Sequence, residues 1–194
     1  MKKTIKTGIL GLVLLAGFTL TSQAQDAAKK TTTERPRLIL SAGPEANLPL
    51  GDFKDAYDWS IGGSVQGDYA ILKRDLYVTL NAGYSSYMGK DLGAGIGSVP
   101  DLQLLPVKAG LKYYPVANLY VQAQAGAAFL TNKSDLGLDK SAVFVYTPQV
   151  GYLFHLAGGS YLDAGVKFEG YGKFADGGSS NNVIGLRVAY AFGL

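Results

Sequence analysis

The sequence has no cysteine, a single histidine, a single tryptophan and few charged residues among its 194 positions. Without cysteine there is no disulfide scaffold, no cysteine-based zinc site, no cysteine nucleophile and no lipid-bearing N-terminal cysteine. A composition of 47% hydrophobic and 17% charged residues excludes an intrinsically disordered chain. The 26 glycines and 13 tyrosines favour β-structure over a helical bundle, and the length suits one domain.

The first 24 residues have the three-part pattern of a secretory signal peptide. Three lysines and no acid precede an apolar run over residues 8–20, and Ser22 and Ala24 provide small side chains at the −3 and −1 positions of a cleavage site. The apolar run is shorter than the ~18 residues expected of a membrane-spanning helix. The pattern therefore predicts a cleavable signal peptide over residues 1–24 and an exported protein.

Removal of this leader changes the charge balance of the chain. The formal charge of +3 falls to zero, because the leader carries three lysines and the remainder has 15 basic and 15 acidic residues. A neutral chain gives no electrostatic reason to bind nucleic acid, so no nucleic-acid partner is expected. Residues 25–36 are polar and predict a flexible tail on the periplasmic side, which leaves residues 37–194 as the folded domain.

Alternation of apolar with small or polar residues dominates the chain after residue 37. In the last segment Ile184, Leu186 and Val188 share one face, and Arg187 and Ala189 share the other. Successive side chains of a strand point to opposite faces, so this pattern predicts a strand. Eight segments behave in this way: 37–48, 59–71, 76–87, 104–114, 119–130, 143–154, 161–171 and 184–194.

The connections between these segments alternate in length. Residues 72–75, 115–118 and 155–160 are short, whereas four others are long and rich in glycine, aspartate, serine and asparagine: 49–58, 88–103, 131–142 and 172–183. Long loops on one side and tight turns on the other are typical of a transmembrane barrel. The predicted fold is all-β: an eight-stranded antiparallel up-and-down transmembrane β-barrel, preceded by a cleavable signal peptide, with both ends of the barrel on the short-turn, periplasmic side.

A soluble lipocalin-like barrel or a β-sandwich would also alternate but would bury its apolar face. The membrane arrangement is favoured because the apolar face carries no charged residue in any segment and because its aromatic residues lie near the strand ends, as headgroup-level girdles do. The predicted girdle at the short turns contains Tyr69, Tyr113, Tyr152, Phe154, Tyr190 and Phe192. The predicted girdle at the long loops contains Trp59, Tyr84, Phe129, Phe144, Tyr146 and Phe168.

The opposite, polar face predicts the barrel interior. Its polar and charged candidates are Glu45, Gln66, Asp68, Lys108, Lys112, Gln122, Gln124, Gln149, Asp163, Lys167, Glu169 and Arg187. Four acids balance four bases, whereas an ion pore would show one dominant sign, and eight strands leave an interior that side chains can fill. We therefore expect a largely plugged interior in which Arg187 pairs with Glu45 or Glu169.

Three prolines fall inside the strand patterns. Pro44, Pro106 and Pro148 cannot donate to a strand ladder, so each is expected at a bulge or a strand end.

The stretches GPEANLPLGDF (43–53), LYVTLNAGYSSY (76–87), LKYYP (111–115) and GLRVAYAF (185–192) resemble the small bacterial outer-membrane β-barrel domains of the OmpA-, OmpX- and PorT-like group. The resemblance implies an outer-membrane location, contact with outer-membrane lipid and lipopolysaccharide, and a last strand that the barrel-assembly machinery reads. Such proteins typically end in an aromatic residue, whereas this chain ends in Leu194 with Phe192 two positions before it.

Fold alone does not fix function. A structural or surface-interaction protein that acts through its long loops is favoured, with a narrow porin or transport channel as the alternative and a lipid-modifying enzyme as a third reading. No catalytic, cofactor-binding or metal-binding residue is predicted, because the only histidine, His155, falls in a short turn. Asp52, Asp55 and Asp58 supply oxygen ligands for calcium, but their spacing does not match a calcium loop, which favours a solvated loop.

The loop partner is not encoded in any motif. Loops on a rigid scaffold carry function more often than the scaffold does. The loop residues expected to be exposed and to meet a partner are Phe53, Tyr57, Tyr87, Ile96, Leu136, Leu138 and Phe174.

Overall fold

The computed structural model describes residues 35–72, 74–91, 93, 97–133, 140–174 and 180–194. The predicted signal peptide and most of the predicted tail lie outside these residues. Eight strands and one short helix account for most of the described chain: β1 Leu38–Leu50, α1 Phe53–Ala56, β2 Tyr57–Leu72, β3 Leu76–Gly89, β4 Leu102–Val116, β5 Leu119–Leu130, β6 Ala142–His155, β7 Ser160–Tyr171 and β8 Asn181–Gly193.

The strands form one closed antiparallel barrel in which each strand pairs with its sequence neighbours and β8 returns to β1. The predicted eight-stranded up-and-down arrangement is confirmed, and every predicted strand end lies within three residues of the observed one. No helix in the described part of the chain is long and apolar enough to cross a membrane. The three short connections define the turn side of the barrel, and the four long connections define its loop side.

Alternation sorts the side chains as the sequence indicates. Outward residues of β8 such as Leu186 (59% exposed) and Tyr190 (54% exposed) alternate with inward residues such as Arg187 (2% exposed). The twelve residues of the two predicted girdles all lie on the outer wall, eleven of them exposed and Phe168 half-buried. The strand period of two therefore produces two walls of opposite chemistry from one chain.

The expectation for the prolines is wrong. Pro44, Pro106 and Pro148 lie within continuous strands, and the pairing register is the same on both sides of each one. Each proline instead coincides with a two-residue interruption of one ladder, in β1–β8, β3–β4 and β6–β7 respectively. The missing N–H of the proline is tolerated because the ladder has no pairing at that position. No extra residue is inserted, so there is no bulge.

The turn side is closed partly by residues that precede β1. Arg35 and Pro36, at the end of the predicted tail, contact the barrel: the Arg35 side chain donates hydrogen bonds to Asp75 and to the Arg74 and Ala117 carbonyls. Tyr77 donates to the Pro36 carbonyl oxygen over 2.8 Å. These contacts hold the entry of the chain against the tight turns.

Candidate functional site: the barrel interior

The structure places all twelve predicted interior residues inside the barrel, each less than 9% exposed. We call this middle region the polar layer. Its eight charged residues form one continuous chain of ion pairs with alternating sign. Named in order along that chain, they are Asp68, Lys112, Asp163, Arg187, Glu45, Lys167, Glu169 and Lys108.

The half of this chain nearer the turn side centres on Asp163. Lys112 Nζ lies 2.8 Å from Asp68 Oδ2 and 3.3 Å from Asp163 Oδ2. Arg187 Nη1 lies 3.2 Å from Asp163 Oδ2, and Tyr120 donates a 2.6 Å hydrogen bond to Asp163 Oδ1. Since Lys112 lies on β4 and Asp163 on β7, this pair spans the lumen and ties opposite walls together.

The half nearer the loop side centres on Lys167 and Glu169. Lys167 Nζ contacts Glu45 and lies 2.7 Å from Glu169 Oε2, and Lys108 also contacts Glu169. Arg187 joins the two halves, because its Nε lies 3.5 Å from Glu45 Oε1. Every buried charge therefore has an opposite charge beside it, which is the condition under which ions are tolerated away from water.

The strand register explains one of the two predicted partners of Arg187. When β8 pairs with β1, Glu45 falls directly opposite Arg187, and their ion pair is as expected. The Arg187–Glu169 alternative is wrong, because Glu169 is taken by Lys108 and Lys167. The Arg187–Asp163 pair was not expected, since it depends on how far a long side chain reaches along the lumen.

Glutamines fill the space between the charges. Gln66 donates to Asp68 over 2.8 Å and to Gln122 over 3.1 Å, and Gln124 donates to Thr79 over 2.8 Å. Gln149 Nε2 donates to the Tyr120 hydroxyl over 2.6 Å. Because that hydroxyl donates in turn to Asp163, Tyr120 connects Gln149 to Asp163 through two hydrogen bonds. These bonds link the amide side chains to one another and to the buried charges of the polar layer.

Glycines make part of this packing possible. A Cβ added at Gly165 would lie 2.5 Å from Gln149 Nε2 and 2.8 Å from the Tyr120 hydroxyl oxygen. At Gly185 it would lie 2.1 Å from Asn47 Oδ1. Side chains from facing strands therefore occupy the volume that larger residues would take.

Apolar clusters close the interior at both ends. The loop-side cluster contains Phe53, Tyr57, Tyr87, Leu102, Leu104, Ala128, Leu130, Val143, Val145, Tyr171 and Val183. The turn-side cluster contains Ile39, Ala70, Tyr77, Tyr114, Tyr120, Leu153, Tyr161 and Ala191.

These clusters were missed at the sequence level, although the sequence carries a signal for them. Leu102 and Leu104 lie on the inward phase of β4, and Val143 and Val145 lie on the inward phase of β6. At these strand ends the inward residues are apolar, so the alternation of apolar with polar side chains breaks down where the interior is capped.

The expectation that Phe53, Tyr57 and Tyr87 are exposed is wrong. All three are less than 9% exposed and belong to the loop-side cluster. Phe53 projects from α1 into the mouth of the barrel, with its ring centroid 4.9 Å from that of Tyr57 and 5.3 Å from that of Tyr87. Apolar burial over the open end of the interior outweighs exposure in the loop.

The remaining loop candidates differ in position. Phe174 is half-buried, with its ring centroid 6.1 Å from that of Phe53. Ile96, Leu136 and Leu138 lie outside the described residues.

The weaker chemical candidates stay apart. Asp58 Oδ1 lies 3.6 Å from Lys90 Nζ, and among the described residues no group of three or more potential ligands is arranged to hold a metal ion. His155 ends β6 on the turn side, where it is exposed and its ring centroid lies 5.2 Å from that of Tyr161.

The outer wall is the counterpart of the polar layer. In the described strands, every Asp, Glu, Lys and Arg is buried in the interior except Asp58, which lies at the loop-side tip of β2. Exposed apolar side chains cover the wall between its two ends. A water-soluble surface of this size normally carries many charged groups.

No family model and no curated protein matches the chain. Among solved structures, Neisserial surface protein A is similar, with a TM-score of 0.53, 15% identity and coverage of 79% of this chain and 94% of that one. The outer-membrane protein AlkL in lipid bilayers has a TM-score of 0.52 and 16% identity, and the match covers 85% of this chain and 93% of that one. Ail of Yersinia pestis has a TM-score of 0.50 and 16% identity, and the match covers 81% of this chain and 99% of that one. The chain thus has the fold of the small eight-stranded outer-membrane β-barrels.

Proposed function

We propose that the mature chain is an integral outer-membrane barrel that acts as a structural or surface-interaction protein. Its long loops face the exterior, its tight turns face the periplasm, and its interior does not conduct. Residues 1–24 direct export and are removed. The barrel contacts outer-membrane lipid and lipopolysaccharide, and β8, with Phe192 near its end, is the segment read by the assembly machinery.

The observation that carries this proposal is the outer wall. Its uncharged apolar surface is suited to hydrocarbon, and the closed ladder leaves no unpaired strand edge, which is the condition for crossing a bilayer with strands. The outward rings near both ends of the wall, such as Tyr113 and Phe144, suit the two headgroup zones. The similar barrels named above support the outer membrane as the location.

The interior supports a non-conducting role. Its charges pair with one another, and an apolar cluster stands at each end of the polar layer. Water would have to displace packed side chains such as Leu104 and Leu153 to cross it. We therefore favour a closed barrel over a narrow channel.

The loops are proposed as the contact surface. Ail is the attachment invasion locus protein of Yersinia pestis, which supports a surface role for barrels of this kind. No enzymatic role is proposed; the imidazole of His155 is exposed at the turn side and packs edge-on against the Tyr161 ring.

The membrane part of the proposal is tested by fractionation and electrophoresis. We expect the protein in the outer-membrane fraction and expect unboiled samples to migrate differently from boiled ones, because the folded barrel persists in detergent. A water-soluble monomer after removal of the leader would overturn the proposal.

The sealed interior is tested separately by conductance in planar bilayers. We expect no steady open level from the folded barrel. A large, stable conductance from the same preparation would contradict a plugged interior and favour the channel.

A further inference from the structure

The outer wall carries an apolar groove on the side formed by β8, β1, β2 and β3. Its volume is about 480 Å³, within the range of small-ligand sites. Small outward residues form its floor and larger ones its rims; the residues that define it here are Leu40, Ala42, Gly67, Leu80, Ala82 and Phe192. We call it the β1–β3 groove.

A cationic group stands at the turn-side end of this groove. Arg37 is exposed, and its guanidinium carbon lies 5.7 Å from the ring centroid of Tyr69. Tyr69 follows Gly67 as the next outward residue of β2, so the ring lies ~7 Å from the groove floor. The guanidinium is therefore held outside the barrel wall, at the height of the turn-side girdle.

Arg37 differs in this respect from its neighbour Arg35. The Arg35 side chain is committed to Asp75 and to two backbone carbonyls. Within the described residues, no acceptor takes a hydrogen bond from the Arg37 side chain, whose guanidinium lies over the Tyr69 ring. A guanidinium with unused donors offers a planar fork to a phosphate.

We propose that Arg37 and the β1–β3 groove together bind one anionic phospholipid on the turn side of the barrel. The headgroup phosphate accepts hydrogen bonds from Arg37, and an acyl chain lies along Gly67 and Ala82. This inference rests on the proposed membrane function and deepens it, because it names a ligand class and a place for it.

Charge complementarity selects this occupant. Among the described residues of the turn side, Arg35, Arg37 and Arg74 accompany one acid, Asp75, whereas the long loops carry more aspartates than lysines. An anionic headgroup is attracted to the turn side by about 1 kcal/mol per nearby cation. A second copy of this chain would bring a like-charged turn side to the same place.

The test measures lipid preference beside the groove by fluorescence quenching. In a Trp59→Phe background, Val78→Trp places the only tryptophan on the outer wall of β3, directly opposite Tyr69 in the ladder. Val121→Trp is the matched control, since Val121 is the second outward residue of β5, on the far side of the barrel. Each protein is reconstituted in phosphatidylcholine vesicles with increasing brominated phosphatidylglycerol.

We expect phosphatidylglycerol to displace phosphatidylcholine with a relative association constant of about five at position 78 and about one at position 121. Arg37→Gln should lower the value at position 78 to about one. Lys54→Gln, which removes an exposed cation from the loop side, should leave it unchanged.

A second variant tests the apolar half of the site. A Cβ at Gly67 would meet only Leu40 Cδ2 at 3.4 Å, so Gly67→Leu fills the groove without moving the backbone. It should lower the preference at position 78 at least twofold. Ala123→Leu, which places a leucine on the outer wall of β5, should not.

Equal constants at positions 78 and 121, or an unchanged constant after Arg37→Gln, would overturn the inference. So would a tryptophan at position 78 that brominated phosphatidylglycerol does not quench even at its highest content, which would place a second copy in the groove. All variants are first checked for the electrophoretic shift in phosphatidylcholine alone. Loss of that shift in the parent protein would overturn the proposed membrane function itself, and the inference with it.

Discussion

The inner and outer walls of this barrel are made by the same eight strands, yet they have opposite chemistry. Eight charged side chains lie within the inner wall and pair with one another, whereas the outer wall between its two ends carries none. The aromatic residues of the two walls differ as well. The hydroxyl of an inner tyrosine such as Tyr120 donates a hydrogen bond to a buried acceptor, whereas an outer ring such as that of Phe144 is exposed. The difference is the one expected of the proposed membrane barrel, whose outer wall faces hydrocarbon and whose inner wall packs against its own side chains.

The largest effect should come from breaking the inner chain of charges. Lys167→Met leaves Glu45 and Glu169 with one fewer cation, and we expect the free energy of unfolding to fall by about 3–5 kcal/mol. Urea titration in vesicles measures it. Lys133→Met, on a half-buried loop lysine that contacts Ser141, is the control and should cost less than about 0.5 kcal/mol.

The outer wall is tested by placing a charge on it. Val188→Arg should lower the stability of the folded barrel in lipid by about 2–4 kcal/mol, because an arginine would face hydrocarbon. The neighbouring inward change Ala189→Ser should be nearly neutral. If the two variants were equally stable in vesicle unfolding experiments, the distinction between the walls would be wrong.

The loop-side end of the inner wall should show a smaller effect. Phe53→Ala removes the ring that covers Tyr57 and Tyr87, at a cost of about 2 kcal/mol for the lost burial. Amide exchange should become faster in residues 51–56 and stay unchanged at the turn side. Lys54→Ala, the exposed neighbour in α1, is the control, and equal exchange in both variants would argue against the capping role.

The smallest effect is expected at a proline that coincides with an interruption of a strand ladder. Pro148→Ala restores an N–H at the unpaired position of the β6–β7 ladder, and the stability change should stay below about 1 kcal/mol, since the register already continues across it. A change in the pairing of Gln149 with Lys167, detected by cross-strand amide contacts in NMR spectra, would contradict the observed register.

Much of this architecture is readable from sequence because a strand in a two-faced wall must alternate. β5 has the predicted ends, 119 and 130, and the largest displacement is three residues at the start of β8. The Glu45–Arg187 pair was also accessible, because closure of β1 on β8 fixes the register between them. Local pattern and one topological constraint were sufficient for these features.

The missed features depend on the lumen rather than on the strand. The Lys112–Asp163 pair joins β4 to β7 across the interior, and no ladder register relates those two strands. The burial of Phe53 depends on a four-residue helix that turns a loop residue inward. Inward leucines at the strand ends were missed because the inner wall was expected to be polar along its whole length.

The position of α1 distinguishes the first long connection from the other three, because α1 packs into the mouth of the barrel. Residues 51–56 cover the barrel mouth. Sequence changes in that segment are therefore constrained by its packing on Tyr57 and Tyr87. In the second and third long connections, the described end residues are tied to the mouth by hydrogen bonds such as those from Gly89 to Asp101 and from Leu130 to Ser141. A foreign epitope displayed on this scaffold should therefore be grafted into the second or third long connection and not into the first.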